Sequence, residues 1–360
     1  MTVHIIGAGL SGLSAAVSLA SRGHAIRLYE AAPHAGGRCR SYFDAQLDRL
    51  IDNGGHLLLG ANQAAFSYLD AIGSRGELIE IAPATFPFRD LESNQSWVLR
   101  PSAGAIPWWI LRRDLRVPGT SLSDYLSLGR LLLAGPNETV GQRLDCKTTL
   151  ARRLVEPIAV AVMNTDLQNA AAKPLASVIR ETLLTGEQAC RPHIARTGLS
   201  QTFVDPALAQ LARQGAEIRY GARLQRIFFD QTRAQRLEFS TFEITLEPKD
   251  RVVLSVPAWV AATLVPDLLH PRDHCAIVNA HFRLETPAPM PHGLPILGLV
   301  GGTAQWLIAR GDVVSVTVSA ANPLVDRPPD ELLALLWHDT AAALDLPKSP
   351  LPPGRLIKEK

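Results

Sequence analysis

The sequence has almost no charge imbalance: 36 Lys and Arg stand against 34 Asp and Glu, a formal net charge of +2 over 360 residues. That leaves no electrostatic case for nucleic acid as a partner. Cysteine is scarce and scattered: Cys39, Cys146, Cys190 and Cys275 form no C-x-x-C pair. Neither a zinc site nor a disulfide framework is expected, and the pattern fits a reducing cytoplasm. Aromatic residues make up only 6%, with no clear pair of rings to cage an amine cation. No run approaches the roughly eighteen apolar residues of a membrane-spanning helix. The N-terminus opens into a strand, without the basic and apolar regions of a signal peptide. A cytoplasmic protein is expected, with any membrane contact peripheral and at the inner face. His270 and His274 are four apart, but Pro271 breaks a helix between them, so no metal pair is expected.

What is present is concentrated in the first forty residues. Val3-His4-Ile5-Ile6 is an apolar run that predicts a buried parallel strand. Gly7-Ala8-Gly9-Leu10-Ser11-Gly12 follows, then a helical stretch from Leu13 to Arg22, a turn at Gly23, a second strand at Ala25–Tyr29, and Glu30. Strand, glycine-rich turn, helix, strand and acid together form a dinucleotide-binding fingerprint. Gly7 makes the tight turn, Gly9 lets a pyrophosphate approach the backbone, and Gly12 lets the helix lie near the strand. The N–H groups of the helix start, from Leu10 and Ser11 on, face the phosphates. Glu30 would accept hydrogen bonds from a ribose diol and disfavours a 2′-phosphate, so FAD or NAD is expected there rather than NADP.

Gly36-Gly37-Arg38 follows six residues after Glu30. The glycine pair lets the chain pass close to bound phosphates, and the guanidinium of Arg38 can neutralise them. Here the sequence resembles the flavin amine oxidase and phytoene desaturase superfamily, which carries a GGR motif after the ribose-binding acid. The resemblance implies FAD. It narrows at Asp52-Asn53-Gly54-Gly55-His56-Leu57-Leu58-Leu59-Gly60. That stretch is similar to the D-N-G-Q-H-L-L-L-G pattern of the squalene-associated FAD-dependent desaturases, the hydroxysqualene dehydroxylase family of hopanoid pathways. The departure is Gly55 in place of Gln, which removes one amide contact to cofactor or substrate. By resemblance this segment returns along the flavin, with Gly54, Gly55 and His56 beside the cofactor and His56 or Asp52 as the acid at a leaving hydroxyl.

Further matches run along the chain. Glu156 to Thr165 is similar to E-P-L-x-x-A-x-L-N-T, a largely aliphatic helix that lines a tunnel or forms core. Asn164 and Thr165 at its polar end are candidates to orient a substrate hydroxyl. Gly301 to Trp306 is similar to G-G-x-A-Q-W, with Trp306 facing a substrate cleft or packed as core. Glu217 to Ile227 reads as strand, turn and strand, and by resemblance lays backbone against the adenine near Leu224. Arg251 to Pro257 is similar to the superfamily's V-V-x-A-x-P exit strand. Residues 61–135 read as helical and apolar, interrupted by prolines. Within them Trp108, Trp109, Arg112 and Arg113 place indoles beside guanidinium groups, which suits an interfacial membrane anchor or the wall of a substrate domain.

At this length two domains are expected. The fold class expected is α/β, a Rossmann-like FAD domain of residues 1–60 and 196–262 interleaved with a mixed α+β substrate domain of 61–195 and 263–345. Residues 346–360 are expected to start a return to the FAD domain. The family continues for several tens of residues beyond that point, through a segment completing its FAD domain. By resemblance the activity is that of an FAD-dependent oxidoreductase removing the hydroxyl of hydroxysqualene to give squalene, in a dry apolar tunnel. The single GxGxxG leaves no second dinucleotide domain, so electrons would come from NADPH visiting the same cleft or from an outside donor. Two alternatives stay open. One is a carotenoid-type desaturase or amine oxidase running electrons the other way. The other is a truncated, inactive flavoprotein-like protein that binds isoprenoid or a pathway partner.

Overall fold

A computed structural model describes residues 1–359. The chain divides into two compact units. The first comprises 1–42, 63–79 and 195–274, and the second 43–62, 80–194 and 275–360.

The first unit is built on a parallel sheet with strand order Glu217–Arg219, Ala25–Tyr29, Thr2–Ile6 and Arg251–Leu254. The helix Leu10–Ala20 connects the two strands of the fingerprint. It turns Leu13, Ala16 and Val17 into the core. The alternating apolar residues of Leu224–Asp230 and Arg233–Phe239 form an antiparallel meander with Glu243–Thr245. Ile227, Leu237 and Phe239 from that meander pack with Ile6 and Tyr29 of the parallel strands.

The second unit is organised around a seven-stranded mixed sheet, ordered Gly354–Glu359, Ile277–Arg283, Val313–Val318, Trp306–Arg310, Ile296–Val300, Phe86–Asp90 and Gln95–Leu99. Side chains alternate across it because strand periodicity is two. Val278, Ala280, Phe282, Val314, Val316 and Leu307 form one core with Leu336, Trp337 and Ala341 of the helix Pro329–Leu344. Their neighbours Asn279, His281, Ser315 and Thr317 therefore face the other side, and that face carries polar chemistry.

Three expectations are corrected here. Residues 61–135 are not helices parted only by prolines: the hairpin Phe86–Asp90 and Gln95–Leu99 lies inside them, with Phe88 stacked on Trp97 at 5.4 Å. Its turn is held by Asp90, whose Oδ1 accepts from the N–H groups of Glu92 and Ser93. Burial pushes the Asp90 carboxyl up, but Arg153 at 2.7 Å and these N–H groups outweigh it and hold it below the ordinary range. The strand Gly354–Glu359, expected to begin a return to the FAD domain, is itself part of the second unit's sheet. It pairs antiparallel with Ile277–Arg283, where Gly354 leaves room for the Phe282 ring. The domain boundaries also move, because 43–62 belongs to the second unit and 63–79 to the first. Among the described residues no helix is long and apolar enough to cross a membrane.

Candidate functional site

In the first unit the strand Thr2–Ile6 delivers its C-terminal end into the glycine loop. Gly7 has φ 102° and donates its N–H to Tyr29 O at 2.7 Å. Only a residue without a Cβ fits there, since an added carbon would lie 2.4 Å from Ser255 O. At Gly12 the added carbon would be 1.8 Å from Gly7 O, so helix and strand touch through backbone alone. Gly9 is different. It sits at the helix N-cap with extended backbone (φ −70°, ψ 178°) and has no atom within 4 Å of an added Cβ. The helix start carries no side-chain cap and no acidic residue in its first turn, which leaves its N–H groups and positive end open to an anion. Gly36 donates its N–H to Ala8 O at 2.8 Å, bringing the Gly36-Gly37 turn alongside Gly9.

Glu30 stands at the mouth of this loop. Its Oε2 accepts from Ala8 N at 2.7 Å and its Oε1 from Ala32 N at 2.8 Å. Each oxygen keeps a lone pair for a ribose hydroxyl. Its backbone is held by Arg219 O and Ala222 N. Arg38 is exposed. An open space over Gly9, an uncapped helix start and an oriented carboxylate fit the diphosphate and ribose of FAD. The Leu224 side chain is buried in the apolar cluster under the meander, which leaves only its backbone to offer a ligand. The backbone of residues 219–222 and Ser255 pack against this loop and Glu30, within the Glu217–Ile227 and Arg251–Pro257 stretches read from sequence. Gly221, with φ 65°, was the one local signal of the turn beside Glu30.

The Asp52–His56 segment belongs to the second unit, and a buried polar ladder explains why. Asp52 accepts from Arg310 Nη2 at 2.7 Å. Asn53 donates its amide to Glu359. Asn279 Nδ2 reaches Asn53 O at 3.4 Å, and its Oδ1 accepts from Thr317 Oγ1 at 2.9 Å. Gly54 and Gly55 lie flat on this face: added Cβ atoms would meet Asn279 Nδ2 at 2.8 Å and Thr317 Oγ1 at 3.1 Å. The ladder ends at His56, which is exposed, while Leu57 packs into the cluster of Ile81, Ile194, Ile296 and Ile308. Asp52 is engaged by the Arg310 guanidinium within this ladder, a contact that suits it to anchoring the segment. His56 stands as the candidate acid beside an apolar wall.

Two substrate candidates are redirected by their contacts. Asn164 caps the helix Glu156–Met163 in the left-handed conformation. Its amide donates to Cys275 O at 2.6 Å and accepts from Ala320 N at 2.7 Å, so both ends are engaged. Thr165 beside it is half-buried. Trp306 is half-buried, lies edge-on to Phe88 at 5.4 Å and donates Nε1–H to Pro157 O at 3.4 Å. Among the described residues no group of three or more His, Cys, Asp or Glu is placed to hold a metal ion.

His281 was not singled out from sequence. It is fully buried on the ladder face, with Nδ1 2.8 Å from Ser315 Oγ. Burial pushes its imidazole down to about 4, with Arg310 adding to this and Asp52 and Asp44 opposing it. The ring is neutral in the folded protein, whereas the unfolded chain takes up the proton near 6.5. The stabilisation from keeping it neutral is complete above pH 6.5 and is lost as pH falls toward 4. Between pH 7 and 4.5 this is worth about 2–3 kcal/mol. Urea unfolding at both pH values is expected to show a loss smaller by about that amount in His281→Gln. An equal loss in both proteins would remove His281 as the cause.

Residues 10–357 match the family model described as flavin containing amine oxidoreductase. The chain is 42% identical to the hydroxysqualene dehydroxylase of Sinorhizobium fredii over 358 residues, covering 99% of this chain and 85% of that protein. It is 43% identical to the hydroxysqualene dehydroxylase of Rhodopseudomonas palustris over 360 residues, covering 100% of this chain and 85% of that protein. Among solved structures, an oxidoreductase from Methanosarcina mazei superposes with a TM-score of 0.73 at 13% identity, covering 100% of this chain and 87% of that one.

Proposed function

We propose that this chain, which belongs to the family of flavin containing amine oxidoreductases, is an FAD-dependent oxidoreductase that converts hydroxysqualene to squalene. The observation that carries the substrate is whole-chain identity of 42–43% to proteins named for that reaction. Reduced FAD, when bound, supplies the two electrons and the hydrogen that replace the hydroxyl. The carbon–oxygen bond breaks, the hydroxyl takes a proton and leaves as water, and carbon gains a hydride equivalent. An external two-electron donor of the NADPH class then restores the reduced state.

The chain's own residues have separable tasks. The glycine loop, Glu30, Gly36, Gly37 and Arg38 bind and orient the dinucleotide. His56 donates the proton to the leaving hydroxyl. Asp52, Arg310, Asn53 and Asn279 hold the backbone that carries His56. Leu57 and the isoleucines around it exclude water from a polyisoprenoid chain. Peripheral contact with a membrane gives such a substrate its route in. Trp108, Arg112 and Arg113 are exposed and suit that contact, whereas Trp109 is 3% exposed and packed edge-on against Tyr125 at 5.4 Å, which excludes it.

The test is anaerobic. Protein loaded with FAD and reduced with one equivalent of dithionite is mixed with hydroxysqualene. The oxidised flavin band near about 450 nm is expected to return as squalene forms in equal amount. A flavin that stays reduced sinks the reading. Reduction of oxidised flavin by a squalene-type polyene would point to desaturation instead.

A further inference from the structure

Six of the second unit's exposed large apolar residues fall in one stretch, the others being Phe43, Val162 and Leu351. Ile106, Trp108, Leu111, Leu122, Leu126 and Leu133 are all exposed, with Leu126 at 75% and Leu133 at 79%. They are not on a loose loop. The helix Leu122–Leu126 packs against the turn Trp108–Leu111 and the helix Leu128–Leu132. Between the exposed positions, Trp109, Tyr125 and Leu131 are buried, and the Tyr125 hydroxyl accepts from Val117 N at 3.0 Å. A rigid inner side thus presents leucines and an indole outward. Isolated exposed leucines are ordinary, but a continuous set on a packed scaffold marks an interaction surface.

The charges around it identify the partner. Across residues 100–143 six arginines face three carboxylates and there is no lysine, although acids and bases nearly balance over the whole chain. The carboxylates are spoken for: Asp114 pairs with Arg112, Glu138 with Arg143, and Asp124 caps its own helix through Ser121 N. Arg113 and Arg130 are exposed and enter no ion pair among the described residues. Beside the outward Leu133, Arg143 donates to Leu133 O at 3.4 Å, and Arg180 donates to Leu132 O. Guanidinium groups ringing an outward leucine match phosphate oxygens above an acyl layer. A protein interface core is depleted in such charge.

We infer that residues 104–133 seat on an anionic lipid bilayer, with Trp108, Leu126 and Leu133 entering the acyl boundary and Arg113, Arg130 and Arg180 meeting the phosphates. This rests on the membrane contact proposed above and specifies its face and lipid charge. Leu126 and Leu133 lie outside the set that sequence composition suggested.

The experiment is co-sedimentation of the full chain with vesicles. Phosphatidylcholine vesicles with about one third phosphatidylglycerol are expected to retain the protein, and pure phosphatidylcholine vesicles far less, with retention falling as salt rises. Replacing Leu126 and Leu133 together by serine is expected to lower partitioning by on the order of tenfold or more at unchanged melting temperature, since both side chains are already in water. Arg113→Glu with Arg130→Glu should remove the preference for the anionic vesicle. Binding that ignores these four substitutions overturns this face while leaving membrane contact standing. No retention on either vesicle overturns both. A dimer in gel filtration that the serine variant dissolves would assign the surface to a second copy and overturn the lipid.

Discussion

Replacing Gly9 by aspartate is expected to abolish FAD retention while leaving the FAD-free protein as stable as before, or slightly more so. The added Cβ meets nothing within 4 Å, and the backbone at Gly9 is extended and suits any residue. Aspartate is a preferred N-cap, and a negative charge is favourable at a helix start that now has no acidic residue in its first turn. The gain is about 0.5 kcal/mol, a shift of roughly 1–2 °C in melting temperature. The same carboxylate occupies the open space meant for phosphate and repels it, so retention of FAD through desalting should fall on the order of a hundredfold or more. Gly12→Ala is the contrasting variant. Its Cβ would lie 1.8 Å from Gly7 O, so helix and strand must separate, costing about 1–3 kcal/mol or more along with the flavin. Thermal melts of FAD-free protein beside flavin absorbance after desalting separate the two cases. If Gly9→Asp melts as low as Gly12→Ala, the loop is a packing device and its open space means nothing. If it keeps its flavin, the phosphates lie elsewhere.

Arg310→Met is expected to cost about 3 kcal/mol, and Asp52→Asn only about 1 kcal/mol, although the two remove the same ion pair. The asymmetry comes from exposure. The Asp52 side chain is 9% exposed, so losing Arg310 strands a carboxylate away from water, while the Arg310 side chain at 30% keeps solvent as a partner. Asparagine also retains an acceptor oxygen for the guanidinium. The double variant should cost less than the sum, because no buried charge is left unpaired. His281 reports the same event independently. Arg310 lowers its titration and Asp52 raises it, so Arg310→Met should move it upward and Asp52→Asn downward in an NMR titration. Turnover is expected to fall on the order of tenfold in Arg310→Met, since the backbone carrying His56 loses its anchor. Arg310→Lys should restore part of it. Equal destabilisation by the two single variants would show that water reaches both groups and that the ladder is not buried in solution.

The glycine loop and its acid were legible in the sequence because they are contiguous. Strand, glycine turn, helix start and acid lie within residues 2–30, where each fixes local backbone geometry and the order of parts is itself the signature. The ladder was half legible. Asp52, Asn53 and His56 stood out by resemblance, but their partners lie far along the chain: Arg310 is 258 residues from Asp52, Asn279 is 226 from Asn53, and Glu359 is 306 from it. No spacing rule reaches across such loops. Strand register brings those partners to one face, and register is set by which side of each strand the apolar core claims. Adjacent tryptophans show the same limit at the shortest range. Trp108 and Trp109 are alike in composition and neighbourhood, yet one is 56% exposed and the other 3%.

By itself the sequence determined the α/β class, the nucleotide loop, FAD through its resemblance, and the family, because those depend on short-range patterns that no packing arrangement alters. The tertiary structure decided that Asp52 meets Arg310 while His56 stays exposed, that Asn164 clasps backbone, and that the strand Gly354–Glu359 joins the second unit's sheet. Those are outcomes of burial. A carboxylate, an amide or an edge strand takes the partner that keeps its polar groups satisfied once the apolar core has chosen its side.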